Sequence, residues 1–180
     1  AYLEQALAAD EQCRSALSLA TIVYASEKKW SELADVLQRR SVHGAGRDDK
    51  AAAAHRLAQV CLHHLSDSSR AAAAFQQLIE LDPQHSTALA YLVDLYSNNE
   101  EWEHLIALYE DQLHAGGIRE EDEFGVLVQI AMLNWKALEK KDAAEPYFEK
   151  VRRAQPSHAG MLSFFRELCG EREDSARLIS

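Results

Sequence analysis

The chain has 180 residues, with 29 acidic against 19 basic side chains and a formal charge of −10. That balance argues against a reader of nucleic-acid phosphates, which needs concentrated Lys and Arg; here the basic residues fall largely in pairs among acids, as on solvated helix faces (Lys28-Lys29, Arg39-Arg40, Lys140-Lys141, Arg152-Arg153). No apolar run approaches the roughly 20 residues of a membrane span, so no membrane insertion is expected from this segment, and few Gly and Pro with abundant Ala, Leu and Glu point to an all-α protein.

Apolar spacing and helix-breaking residues predict helices at 1–9, 12–26, 28–41, 48–65, 67–81, 84–98, 100–115, 121–139, 142–154, 157–169 and 172–180. Leu89, Leu92, Val93, Leu95 and Tyr96 form one inward stripe. Ser97-Asn98-Asn99 breaks it, and Trp102, Leu105, Ile106, Leu108 and Tyr109 form the stripe of its partner. Asp82-Pro83 and Gln155-Pro156 each close one helix just before the next begins. Pro146 is expected in the first turn of its helix, where a missing N–H costs little. Two longer joints, Ser41 to Arg47 and Ala115 to Arg119, contain glycines suited to a left-handed helix end. They read as spacers between two-hairpin modules, or as recognition loops. No segment alternates with the period of a strand.

The chain also repeats itself. Asp10, Tyr24 and Trp30 return 72 positions on as Asp82, Tyr96 and Trp102. Phe75, Pro83 and His85 return 73 positions on as Phe148, Pro156 and His158. Such a period marks stacked units that bury their faces only against neighbours.

Chemistry-bearing constellations are absent from this pattern. His63 and His64 are adjacent and face different ways, while His55 and His63 lie about two turns apart, so no metal site is expected and no cofactor. There is no phosphate-cradling Gly loop and no nucleophile elbow; Glu120-Glu121-Asp122-Glu123 reads as a charge run that favours a helix start. The chain is not expected to be an enzyme. Cys13, Cys61 and Cys169 are odd in number and widely spaced, which points to core filler and mildly favours a reducing, cytoplasmic compartment.

These residues resemble the tetratricopeptide repeat, whose loose pattern is W-x2-L-G-x2-Y, then Ala, an aromatic four later, and Pro. Leu89, Leu92, Val93, Tyr96, Leu105 and Tyr109 occupy its slots in one copy. Leu57, Ala58, Ala71, Phe75 and Pro83 do so in another, and Ile130, Ala131, Ala144, Phe148 and Pro156 in a third; each of these two has one extra residue between its helices. Leu17, Ala20, Thr21, Tyr24 and Leu33 supply the weakest copy. Val93 replaces the expected Gly, and Leu33 and Leu105 the expected Ala, which also leaves room for looser helical-hairpin cousins such as HAT or Sel1-like arrays.

The resemblance implies a right-handed superhelix of antiparallel hairpins, a single array over 1–180 with units near 12–41, 48–83, 84–115 and 121–156 and partial units at both ends. Leu3, Leu7 and Asp10 match Phe75, Ile79 and Asp82, so the array is expected to be a piece of a longer one. It further implies a protein-interaction scaffold whose first helices line a concave groove. The groove slots carried onto this chain are Ser15, Ser18 and Ile22; His55, Gln59 and His63; Ala90, Asp94 and Asn98; Val128, Met132 and Trp135; and Ser163 and Glu167. Met132 and Trp135 stand out as an anchor, unless the extra residue turns the helix face and sends Trp135 into the packing with Trp30 and Trp102. The basic residues of a carboxylate-gripping groove are missing from these slots, so the expected partner is a neutral to basic, partly apolar peptide or helix. The alternatives are an accessory or regulatory domain of a multidomain enzyme, and end-to-end self-association through uncapped ends.

Overall fold

A computed structural model describes residues 14–116, 118 and 120–172. Among these the regular structure is helical throughout: α1 (Arg14–Ser26), α2 (Trp30–His43), α3 (Arg47–Val60), α4 (Ser68–Leu81), α5 (Ser86–Asn98), α6 (Trp102–His114), α7 (Glu120–Met132), α8 (Lys141–Ala154) and α9 (Ala159–Arg172). Two π-turns, Cys61–Leu65 and Leu133–Ala137, extend α3 and α7. The helices foreseen at 1–9 and 172–180, and Cys13, lie outside the described residues apart from the end of α9.

The chain forms two compact units that divide between Leu95 and Tyr96, inside α5. In the first, α1 packs on α2, α2 on α3, and α3 on α4. In the second, α6 packs on α7, α7 on α8, and α8 on α9. Consecutive helices therefore bury one another's apolar stripes. Leu17, Leu33, Leu37, Leu57 and Leu78 are fully covered in the first unit. In the second, Leu127, Ala131, Trp135, Ala144, Phe148, Val151, Met161, Phe164, Phe165 and Leu168 form one core cluster.

The 72- and 73-residue periods reappear in the backbone. Lys28 and Glu100 hold left-handed φ values of 55° and 57°, and Ser66 and Glu139 hold 53° and 55°. Lys28 and Glu100 end their helices in the same way. Lys29 N–H reaches Tyr24 O and Lys28 N–H reaches Ala25 O, matched by Glu101 N–H to Tyr96 O and Glu100 N–H to Ser97 O. These paired bonds satisfy the last carbonyls of each helix and reverse the chain. None of the four residues is glycine, so each joint accepts a left-handed backbone at a cost of about 1–2 kcal/mol that packing must offset.

The joints at Ser66 and Glu139 differ because each follows a π-turn. Asp67 N–H bonds Cys61 O at 3.0 Å, and Lys140 N–H bonds Asn134 O at 2.7 Å. A π-turn accommodates one residue more than an α-turn. The extra residue in two of the repeat copies is absorbed there. Asp67 then caps α4 by accepting the Arg70 N–H at 2.9 Å.

His85 and His158 recur for a related reason. Each ring Nδ1 accepts a backbone N–H in the first turn of the helix that follows, from Ala88 and Met161 respectively, both at 3.3 Å. The imidazole thus does the work of an N-cap side chain.

Two expectations need correction. Helix α8 begins at Lys141, which places Pro146 in its second turn, where it withholds an N–H the helix would otherwise use. The joint foreseen from Ser41 to Arg47 is mostly helix: α2 runs to His43 and α3 starts at Arg47. Tertiary bonds hold that extension. Ser41 Oγ donates to Gln77 Oε1 at 2.8 Å, and Gln77 Nε2 donates to Ser41 O at 3.1 Å. Arg40 Nε donates to Asp49 Oδ1 at 3.0 Å, while Asp49 Oδ2 accepts the Ala45 N–H at 3.1 Å.

Gly116 takes the left-handed conformation, with φ 64°. Gly44 does not; its φ is −55°. What Gly44 provides is space, because a Cβ there would lie 2.7 Å from both Arg40 O and Asp49 Oδ2. Gly44→Ala is expected to destabilise by about 1–3 kcal/mol, as overpacking does. Gly46→Ala, where a Cβ would meet nothing within 4 Å, is expected to stay within about 0.5 kcal/mol of wild type in urea denaturation.

Candidate functional site

In the first unit the groove slots of α3 and its π-turn keep their side chains available. Gln59 and His63 are exposed and His55 is half-buried. His55 Nε2 lies 3.3 Å from Gln59 Nε2, and the His55 ring meets the His85 ring edge-on at 4.7 Å. Burial lowers the His55 pKa from its ordinary value, and the neighbouring His85 lowers it further. The imidazole is therefore held in its neutral form near neutral pH, as a donor–acceptor rather than a cation.

Beside this face a cavity of about 250 Å³ opens between the start of α2 and the end of α3. Trp30, Leu33, Arg56, Gln59, Val60, His63 and His64 line it. The Trp30 and His64 rings are stacked, with centroids 3.7 Å apart and planes within 3°. Leu33 and Val60 are buried beneath, at 1 % and 5 % exposure. The sequence reading placed Gln59 and His63 at the groove but missed Arg56, and it assigned Trp30 only to packing. The recurrence of Trp30 as Trp102 was visible; the stack on His64 depends on the π-turn and was not.

The second unit treats its slots differently. Val128 and Met132 are half-buried and pack on the core cluster together with Phe124. Trp135 is only 5 % exposed. It lies edge-on to Phe148 at 5.9 Å and to Phe164 at 5.5 Å, and its Nε1 donates to Glu167 Oε1 at 3.3 Å. The anchor read from the sequence at Trp135 is therefore corrected to a core residue. The π-turn at Leu133–Ala137 is the cause, because the extra residue it holds turns the indole inward.

Around that indole runs a charged rim. Lys136 Nζ sits 3.3 Å from the Trp135 ring centroid, and Glu167 pairs with Lys141 at 2.6 Å. The hydrogen bond from Lys141, then that from Trp135, lowers the Glu167 pKa. On the neighbouring helices, the Tyr147 hydroxyl donates to Glu110, and burial together with that carboxylate pushes the phenol up to about 12.

The remaining slots are plain. Ser15, Ser18, Ala90, Asp94, Asn98 and Ser163 are exposed, and Ile22 is 66 % exposed; Glu167 is exposed too but is held by Trp135 and Lys141. Among the described residues, no three His, Cys, Asp or Glu side chains converge as metal ligands. No described helix is long and apolar enough to cross a membrane.

Residues 51–85 match the tetratricopeptide repeat family. The chain carries a tetratricopeptide repeat. The matched segment is α3, its π-turn, α4 and the joint that ends at His85, so the hairpin bearing His55, Gln59 and His63 is the one the family recognises. No curated protein matches the chain in sequence. Among solved structures, the chain is similar to PilF of Pseudomonas aeruginosa, with 19% identity, a TM-score of 0.42, and 92% of this chain and 71% of that one covered. It is also similar to YrrB, a tetratricopeptide protein with an unusual peptide-binding site, with 16% identity, a TM-score of 0.42, and 92% and 80% coverage. Tetratricopeptide hairpins of this kind form all-α scaffolds for protein–protein interaction.

Proposed function

We propose that this tetratricopeptide chain holds a peptide or helix of a partner protein against the first helices of its hairpins, without covalent chemistry. The reading extends over one array of units near 12–41, 48–83, 84–115 and 121–156. The observation that carries it is the α3 face: His55, Gln59 and His63 follow one another at helical spacing and stay accessible, and Gln59 and His63 border a 250 Å³ cavity beside the hairpin that matches the family. Core packing does not need those side chains, so their polar groups are available to a ligand backbone or side chain. Asp94 adds an exposed polar group to the first unit; in the second unit, taken by itself, Asn98 presents an exposed amide, and Val128 and Met132 half-buried apolar surface on α7. Trp135, buried in the core of the second unit, lies outside this surface.

An acidic chain favours a neutral to basic, partly apolar peptide, because like charges would oppose encounter and docking. End-to-end self-association and a role as the accessory domain of an enzyme are the competing readings; the described residues offer no specific feature for either.

A peptide library displayed on phage and selected on the full chain tests this. Enriched peptides should be neutral to basic, and Gln59→Arg with His63→Asp should weaken them at least about tenfold, the scale of a lost interface contact near 1.4 kcal/mol, with helical circular dichroism unchanged. Failure to enrich any sequence, or equal affinity for the double variant, would remove the groove.

A further inference from the structure

We infer that the cavity between α2 and α3 is a pocket for one carboxylate side chain of the docked peptide. This deepens the peptide-binding reading and rests on it. The floor is apolar, from Leu33 and Val60, and one wall is the flat Trp30–His64 stack. The rim carries Arg56, Gln59 and His63. Every polar lining group can donate a hydrogen bond, and no acid lines the cavity in a chain of charge −10.

Some described cations of the same unit are drawn into ion pairs, whereas Arg56, like Lys28, Arg39 and Lys50, is not, and Arg56 alone of these stands at the cavity. Arg40 pairs with Asp49, Arg70 with Asp35, and Lys29 with Glu27. Among the described residues, Arg56 and His63 have neither an ion pair nor a hydrogen bond. A guanidinium beside two donor side chains at the mouth of a small apolar cleft suits a carboxylate on a short methylene stem. A neutral apolar side chain would fill the same volume but would cover those donors without satisfying them, which costs free energy.

The second unit supplies an internal control. At the 73-residue spacing, Arg56, Gln59, His63 and His64 correspond to Gln129, Met132, Lys136 and Ala137. Trp30 and Leu33 persist as Trp102 and Leu105 at the 72-residue spacing. The packing frame is repeated while the lining changes: Gln129 and Lys136 are still donors, but the guanidinium has become a neutral amide, and Gln59 and His64 are matched by the apolar Met132 and Ala137. The Arg56 guanidinium is therefore particular to the first unit and not part of the repeated frame. The partner expected is a peptide basic or neutral overall, with one isolated acidic anchor.

The test uses the isotopically labelled full chain and three pentapeptides. One has a central Glu flanked by Leu and Lys and is blocked at both ends; the second has Gln in its place; the third is the Gln peptide with a free C-terminus. The Trp30 indole N–H signal, assigned by its loss in Trp30→Phe, is followed by NMR. The Glu peptide is expected to shift it saturably and to bind about tenfold tighter than the blocked Gln peptide, the scale of a charge-assisted hydrogen bond. Arg56→Gln should abolish that difference without changing the helical signal. Equal binding of the two blocked peptides, or indifference to Arg56→Gln, would overturn the carboxylate pocket and leave peptide binding standing. Tight binding of the free-terminus peptide alone would overturn the side-chain assignment in favour of a terminal carboxylate. If none of the three binds, the pocket fails; whether phage-selected peptides still bind the chain decides the broader reading separately.

Discussion

Phe148→Ala is expected to lower the free energy of unfolding by about 3–5 kcal/mol, the usual cost of removing a buried aromatic ring. The side chain is 0 % exposed and stacks on Phe164 with centroids 4.5 Å apart, while Trp135 meets it edge-on. Rings in these arrangements contribute beyond the area they bury. The vacated space is bounded by helices from three consecutive layers, α7, α8 and α9, so collapse around it would have to move all of them. Urea denaturation followed by circular dichroism measures the loss. A change below about 1 kcal/mol would mean that the ring is not part of a fixed core.

Trp135→Ala is expected to destabilise by a similar amount, about 3–5 kcal/mol, for the same reason. From the sequence Trp135 stood out as a groove anchor, unless the extra residue turned it into the packing, and the second arrangement is the one the structure has. The indole bridges Phe148 and Phe164 and bonds Glu167, so truncation opens a cavity and removes a partner from the carboxylate that Lys141 also holds. Trp135→Phe retains a ring in the gap and should lose less. Guanidinium denaturation of the two variants separates packing from contact. Wild-type stability in Trp135→Ala, with weakened peptide binding, would return the residue to the surface.

Several features of the fold were legible because they follow from local chemistry. The stripe of Leu89, Leu92 and Tyr96 and the stripe of Leu105, Ile106 and Leu108 forecast α5 and α6 within a few residues. The Pro83 and Pro156 joints were equally plain. The repeat of Phe75 as Phe148 marked two buried rings, at 2 % and 0 % exposure. The candidate site was half legible: helical spacing put His55, Gln59 and His63 on one face, and they remain accessible there.

What failed did so for identifiable reasons. The end of α2 was set two residues too early because its last turn is held by Gln77 and Asp49, which lie far along the chain or across a joint. Gly44 was read as a left-handed terminus, whereas it is the room it leaves for Arg40 O and Asp49 that matters. The recurrence of His85 as His158 was seen, but not that both rings cap helices.

By itself the amino-acid order determined the helical class, the periods of 72 and 73 residues, and the inward stripes of helices such as α5 and α6, because these depend on spacing over a few turns. It also showed that two repeat copies hold a surplus residue. Only the tertiary structure decided where that surplus goes. Placed in the π-turns at Cys61–Leu65 and Leu133–Ala137, it stacks His64 on Trp30 in one unit and buries Trp135 in the other. A single inserted residue can be accommodated in any turn of a helix or in its joint. The choice among them is made by packing against neighbouring helices, which a count along the chain does not contain.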